Sequence, residues 1–285
     1  MSIDVKERET LDRFIERNVD VAPRDLDEGI GTVYERVVID DYFWQLQNER
    51  NICTILENPA DGVTGVPGIN SLVFARHGGR VWLANPSQRL LDGARAVWAR
   101  QGLLNSATFT CCPIDETPYK DDSFDLVWNF CMFERFCNPS SLITEMKRVS
   151  GHYVLIMTQN FYNFGTVFHK IYHKNKKLEW DHGYDQQMTI HAIRTAILEH
   201  GLHIEQEGTV DIPPWLDTWD MPLRGELKKL LALTGKKWEW KIKTQNQSTN
   251  VTLPWPIAFV RWIEANLPEW FRRFQAHHLF ILARK

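Results

Sequence analysis

The chain has 285 residues, 44% of them hydrophobic and 24% charged, with a formal net charge of −3. That length can bury a substantial core in one enlarged domain or in a domain with an appended subdomain. The charge balance supplies no electrostatic reason to expect nucleic acid as a partner.

The opening MSIDVKERETLDRFIER is charged throughout and lacks the apolar core of a signal peptide, and no later run is apolar for long enough to span a bilayer. A soluble, cytoplasmic protein is the expectation. Residues 1–50 read as helices, with Glu7 to Glu16 amphipathic and a second run from Thr32 to Gln47 placing Tyr34, Val37, Val38, Tyr42, Phe43 and Leu46 on an apolar side. The odd number of cysteines (Cys53, Cys111, Cys112, Cys131, Cys137) reads as reduced, packed thiols. No CxxC pair or matching histidine spacing argues for a metal centre.

From residue 51 onward short apolar runs alternate with helical patterns. Strands are expected at 52–57, 80–85, 107–112, 124–130 and 152–158, with helices at 69–77, 88–101 and 139–149 and a turn at 117–123. Such alternation implies an α/β fold, a parallel sheet with helices on both faces and right-handed crossovers. The first strand ends in Glu57, and the loop after it carries Gly62, Gly65 and Gly68. Glycines there allow tight turning and close approach of a ligand to the backbone, and a following helix offers free N–H groups.

Past Asn160 comes an insertion rich in aromatics and histidines, FYNFGTVFHKIYHKNKKLEWDHGY, from Phe161 to Tyr184. A helix near Thr189 to His200 and a strand near His203 to Val210 follow. Residues 213–275 form a long excursion holding seven tryptophans and an excess of Lys and Arg, whereas the N-terminal segment is rich in acids. That bias suits packing of the two against each other, an acidic partner, or peripheral contact with an anionic membrane through 213–275. A helical subdomain closing one end of the sheet is the favoured reading. The chain closes on AHHLFILARK, which reads as a last strand.

The order of these pieces resembles class I S-adenosylmethionine-dependent methyltransferases of the type 11 kind. The resemblance rests on Glu57 before the loop ENPADGVTGVPG, on DDSFDLVWN (Asp121 to Asn129) as the fourth-strand segment, and on the helix and fifth strand in SLITEMKRVSGHYVLIMTQN. It implies a Rossmann-like seven-stranded sheet, mostly parallel with an antiparallel last strand, plus helical insertions. It further implies four parts: a helical cap at 1–50, a cofactor-binding core at 51–212 with the insertion 161–185, a Trp-rich helical insertion at 213–275, and a final core strand at 276–285. Such a protein would bind S-adenosyl-L-methionine and a small-molecule substrate.

By the same resemblance the loop from Glu57 to Gly68, including Asp61, Gly62 and Gly65, should surround the methionine part of the cofactor. Asn85, followed by Pro86, stands where the family usually has an acid that binds both ribose hydroxyls. Pro113 stands where an Asp usually reads the adenine amine, leaving Asp115 and the Ile114 N–H as candidates. Asn129 falls where the transferred methyl group usually lies, and Phe130 and Phe133 are candidate walls.

Methyl transfer from a sulfonium needs donor and acceptor held in line and, for many acceptors, removal of one proton. His182, oriented by Asp181, is the candidate base; the alternative is an ordinary surface or core histidine. His169 and His173, four apart, would share a helical face, but a metal site there needs a third ligand that the spacing does not locate, so none is expected. Glu134 and Arg135 read as a simple ion pair. The functional expectation is methyl transfer to a small or medium-sized organic acceptor, and the rival is a non-catalytic scaffold or regulatory relative. A nicotinamide oxidoreductase is disfavoured for want of a compact GxGxxG and of an acid ending the second strand.

Overall fold

The computed structural model describes residues 29–60, 67–177, 180, 182–213 and 255–285. The helix expected at Glu7 to Glu16, the loop residues Asp61, Gly62 and Gly65, Asp181, and most of the Trp-rich excursion lie outside these residues.

Helix α1 (Gly29–Arg50) precedes strand β1 (Thr54–Glu57), helix α2 (Leu72–Arg76), strand β2 (Arg80–Asn85) and helix α3 (Gln88–Arg100). Then come β3 (Ala107–Cys111), β4 (Phe124–Phe130), α4 (Ser140–Val149) and β5 (Ser150–Gln159). The insertion contributes α5 (Phe164–Lys176), followed by α6 (Ile190–Glu199) and β6 (His203–Val210). Helices α7 (Trp255–Asn266) and α8 (Glu269–Gln275) lead into β7 (His278–Arg284).

All seven strands form one sheet in the order β3-β2-β1-β4-β5-β7-β6. The first five pair in parallel, with Ile55 opposite Val81 on one side and Leu126 on the other. Strand β7 runs antiparallel to both β5 and β6, and so separates them. The sheet is therefore the mostly parallel, seven-stranded, Rossmann-like sheet expected.

Two apolar layers cover it. Alternate residues of each central strand face opposite ways, so Ile55, Leu126 and Trp128 pack with Phe43 of α1, Phe74 of α2 and Trp98 of α3. Their neighbours Leu56, Val127 and Ile156 pack with Leu142 and Met146 of α4 and Ile193 of α6. Strands buried on both faces read as continuous apolar runs, which is why these segments stand out in the sequence. Three helix starts among the described residues are fixed by side chains: Ser87 accepts from the Leu90 N–H (3.4 Å), Asn163 from the Gly165 N–H (2.7 Å) and Thr189 from the Ala192 N–H (3.1 Å).

Some boundaries differ from expectation for identifiable reasons. Strand β1 begins at Thr54 rather than residue 52, because the Cys53 and Thr54 N–H groups both donate to Asp125 Oδ2 (2.8 Å each). Helix α2 begins at Leu72 rather than Ile69, since the Leu72 N–H closes a tight turn onto the Ile69 carbonyl (3.3 Å). The insertion is joined to the end of the chain through Asn160, whose Nδ2 donates to the carbonyls of Arg273 (2.9 Å) and Ala276 (2.8 Å). No helix among the described residues is long and apolar enough to cross a membrane. On α7 and α8, Trp262 and Trp270 are exposed.

Candidate functional site

In a parallel sheet the strand ends and the loops that follow them gather at the carboxyl edge, where open α/β folds take their ligands. Glu57 closes β1 there and is buried, and its Oε2 accepts from Ser71 Oγ (2.5 Å). Ser71 Oγ in turn accepts from Trp128 Nε1 (3.1 Å), so β1, β4 and the start of α2 share one polar chain. This network fixes the orientation of the Glu57 carboxyl group at the edge.

Gly68 ends the loop with φ of +69°, and its carbonyl accepts from Trp98 Nε1 (3.2 Å). A Cβ at that position would lie 2.5 Å from Leu83 Cδ1, so the backbone here presses directly on β2. Gly68 thus meets two separate demands that only glycine satisfies together: a left-handed conformation and a close approach.

Asn85 closes β2 and is completely buried. Its Nδ2 donates to the Ala60 carbonyl (2.6 Å) and its Oδ1 accepts from the Ser87 N–H (2.7 Å). Pro86 lies between, half-buried, with its carbonyl near Cys111 Sγ (3.3 Å). The amide therefore ties the loop after β1 to the start of α3. Ile114 is buried and its carbonyl accepts from Asn58 Nδ2 (2.8 Å), while Asp115 beside it is half-buried. Asn58 also donates its N–H to the Trp128 carbonyl (3.0 Å), and its Oδ1 is buried with no hydrogen-bond partner. Asn58, Ser71 and Ala60 thus join the candidate set; their signal in the sequence is only adjacency to Glu57 and to the glycines.

Asn129 lies one residue before the end of β4, and its Nδ2 meets Met146 Sδ of α4 at 3.2 Å. It faces the helical layer beneath the sheet, and its buried Oδ1 has no partner. Phe130, one step on, turns the other way and packs against His278 (ring centroids 4.8 Å). Phe133 is wholly buried in the second apolar layer.

A second polar group sits beside the carboxyl end of β5. Glu134, in the turn after β4, is fully buried, and its Oε1 accepts from the Gln159 N–H (3.0 Å). Burial pushes its carboxyl above the ordinary glutamate range, against the opposing pull of Arg135. Glu134 and Arg135 are both buried, and Arg135 Nε donates to the Cys131 carbonyl (3.2 Å). The Gln159 side chain reaches His182, with Nε2 and Nδ1 3.1 Å apart. His182 is half-buried and its ring lies 4.4 Å from that of His169 and 5.5 Å from that of His173. The structure thus gathers Glu57, Gly68, Asn85 and Ile114 at one part of the edge and His182 with Glu134 and Gln159 at another.

Hollows lie elsewhere on the described residues. One of about 560 Å³ is bounded by α1, β6, α7 and α8, and an apolar one of about 410 Å³ by Phe164, Ile212 and residues of α7 and α8. Neither is lined by a residue of the carboxyl edge named above. The chemistry-bearing residues, and not the size of a hollow, therefore locate the site.

Residues 63–154 match the family model for a methyltransferase domain. No curated protein sequence matches the chain. Among solved structures, magnesium protoporphyrin IX methyltransferase (ChlM) from Synechocystis PCC 6803 with bound SAH is similar over 98% of this chain and 99% of that one, with 12% identity and a TM-score of 0.56. The 4+2 cyclase SpnF (86% and 80% covered, 16% identity, TM-score 0.52) and MccD protein (87% and 96%, 14%, 0.52) share the fold as well. Identities this low speak for the fold alone, and a cyclase among the neighbours illustrates that one fold carries more than one reaction. The matched methyltransferase domain lies across β2 to β5, within a mostly parallel seven-stranded sheet of the Rossmann-like fold that these methyltransferase structures share.

Proposed function

We propose that the chain binds S-adenosyl-L-methionine along the carboxyl edge of β1, β2 and β4 and transfers its methyl group to a small or medium-sized organic acceptor. The observation that carries this reading is the buried Glu57 carboxylate, held by Ser71 at the end of β1 beside the glycine loop. A fixed anion there suits the cationic methionine ammonium, and N–H groups of the loop from Asp61 to Gly68 suit its carboxylate. Asn85 and Pro86 would border the ribose. Ile114 and Asp115 would border the adenine, and the main chain of Asn129 with Phe130 the region of the sulfonium. His182, with Asp181, would receive the proton of the acceptor.

One observation favours a second reading, a non-catalytic scaffold or regulatory relative. Both polar ends of Asn85 are engaged by backbone, so its amide serves the protein's own loop in the absence of ligand. Calorimetric titration with S-adenosylmethionine and S-adenosylhomocysteine separates the two. Saturable binding of both, weakened by Ser71→Ala through release of Glu57, supports the enzyme. No binding to folded, ligand-free protein supports the scaffold.

A further inference from the structure

The insertion after β5 brings three imidazoles together. His169 and His173 lie four residues apart on α5, so their side chains share a face, and their ring centroids are 4.8 Å apart. The chain then returns so that His182 lies against the same face. One candidate ligand nitrogen from each of the three falls within 4.8 Å of the others. The third ligand that spacing alone does not locate is thus supplied by the return of the chain.

That return is held by the body of the protein. Gly183, with φ of +100°, lies so close to the Glu134 carbonyl that a Cβ would approach it to 2.3 Å, and the Tyr184 N–H donates to the same carbonyl (2.7 Å). The Trp180 indole packs on the cluster, 4.7 Å from the His182 ring and 5.5 Å from the His173 ring, and donates to the Gly183 carbonyl (3.1 Å). His173 itself is buried to 8% exposure. The group is therefore a built, aromatic-walled cluster rather than three solvated side chains.

We propose that His169, His173 and His182 form a binding site for one divalent first-row transition ion, with zinc the best fit. Neutral imidazole donors suit zinc and its neighbours, and exclude magnesium and calcium, which require oxygen. Three protein nitrogens leave a fourth tetrahedral position open to water or to an oxygen or sulfur atom of a bound ligand. At Zn–N distances of about 2.0–2.1 Å the nitrogens would stand about 3.3–3.4 Å apart, so they need to close by about 1.5 Å at most, within reach of side-chain rotation. Gln159 supplies the outer partner such a ligand needs. With its amide turned to present Oε1, it accepts from Nδ1–H of His182 and leaves the Nε2 lone pair for the metal.

Ligation uses the lone pair that a general base would need, so His182 receives a proton only in the metal-free protein and is a ligand in the metal-loaded one. The site stands on geometry separate from the cofactor edge, and its test uses neither S-adenosylmethionine nor turnover. A failure here would therefore be distinct from a failure of the methyl-transfer reading.

The test is titration of chelator-stripped protein with Co²⁺, read by visible absorption, followed by competition with Zn²⁺ and metal analysis. Expected are one equivalent of Co²⁺ with the intense d–d bands of a tetrahedral site, no thiolate charge-transfer band, and displacement by one equivalent of Zn²⁺. His169→Gln and His182→Gln should each weaken binding by more than roughly tenfold, and Gln159→Leu by roughly 10- to 100-fold. His191→Gln, an exposed histidine on α6, should leave it unchanged. Circular dichroism of each variant establishes that it is folded. Absence of saturable binding, a thiolate band, or binding untouched by both histidine variants would overturn the proposal.

Discussion

Replacing Gly68 by alanine tests whether the turn that closes the candidate cofactor loop is held by packing as well as by conformation. At φ of +69° an L-residue carries a steric penalty of about 1–2 kcal/mol. The added methyl would also meet Leu83 Cδ1 at 2.5 Å and Cδ2 at 2.9 Å in the interior of β2, and overpacking of this kind costs about 1–3 kcal/mol. The two effects together give about 2–5 kcal/mol. For 285 residues the unfolding entropy is about 0.6 kcal/mol/K, so the midpoint should fall by about 3–8 °C. Differential scanning calorimetry reads this directly, with Gly93→Ala as the internal control. Gly93 lies inside α3 with nothing within 4 Å of its would-be Cβ, so alanine there should raise stability by about 0.5–1 kcal/mol. A Gly68→Ala midpoint within about 1 °C of the parent would refute the reasoning. It would mean both that Leu83 yields and that the backbone relaxes out of the left-handed region, so that neither demand fixes the glycine.

Asn85→Asp restores the acid that the family usually carries, yet it should cost about 1–3 kcal/mol, because a carboxylate cannot donate to the buried Ala60 carbonyl at 2.6 Å. Urea denaturation measures this, and an unchanged midpoint would show the Ala60 contact to be dispensable. A second expectation concerns acid stability. Burial alone would raise the Glu145 carboxyl, but bonds from Arg148 and from the Thr117 hydroxyl and N–H outweigh it and hold the pKa below the ordinary value. A depressed carboxyl pKa stabilises the fold above the unfolded value, near 4.5, and that contribution disappears as pH falls through the folded value. Glu145→Gln should therefore lower stability by about 1–3 kcal/mol at pH 7, and the gap between parent and variant should close on acidification. A gap that stays constant down to about pH 3 would assign the loss to packing instead of ionisation.

The strands and their order were legible because each central strand is apolar on both faces and is bounded by polar turns, as in LVFARHGGRVWLAN and DDSFDLVWN. Boundaries were less so. Nothing local shows that Asp125, some seventy positions away, would take the N–H groups of Cys53 and Thr54 and shorten β1. At the site, Glu57 and Asn85 could be placed at strand ends by counting, but what their side chains touch could not. The partners of Asn85 are backbone atoms of two different loops, and whether Asn129 faces ligand or α4 depends on a pleat phase that a single residue reverses. The His182 contact with α5 was hidden for a related reason: it depends on Gly183 folding against the turn after β4, half a hundred residues earlier.

Because β7 fills the slot between β5 and β6, the sheet cannot be completed in the order in which the chain is made. Five parallel strands can form as they emerge from the ribosome, but the apolar edge of β5, from Val154 to Met157, has no hydrogen-bonding neighbour until residues 278–284 arrive. Strand β6 must wait beside a gap for the same segment, with the long excursion already synthesised between them. Pairings so distant in sequence form slowly, and an unpaired apolar edge invites association with other chains. The last ten residues thus act as a late fastener, and a nascent or clipped chain lacking them would present an open β5 edge and depend on chaperones to avoid such association.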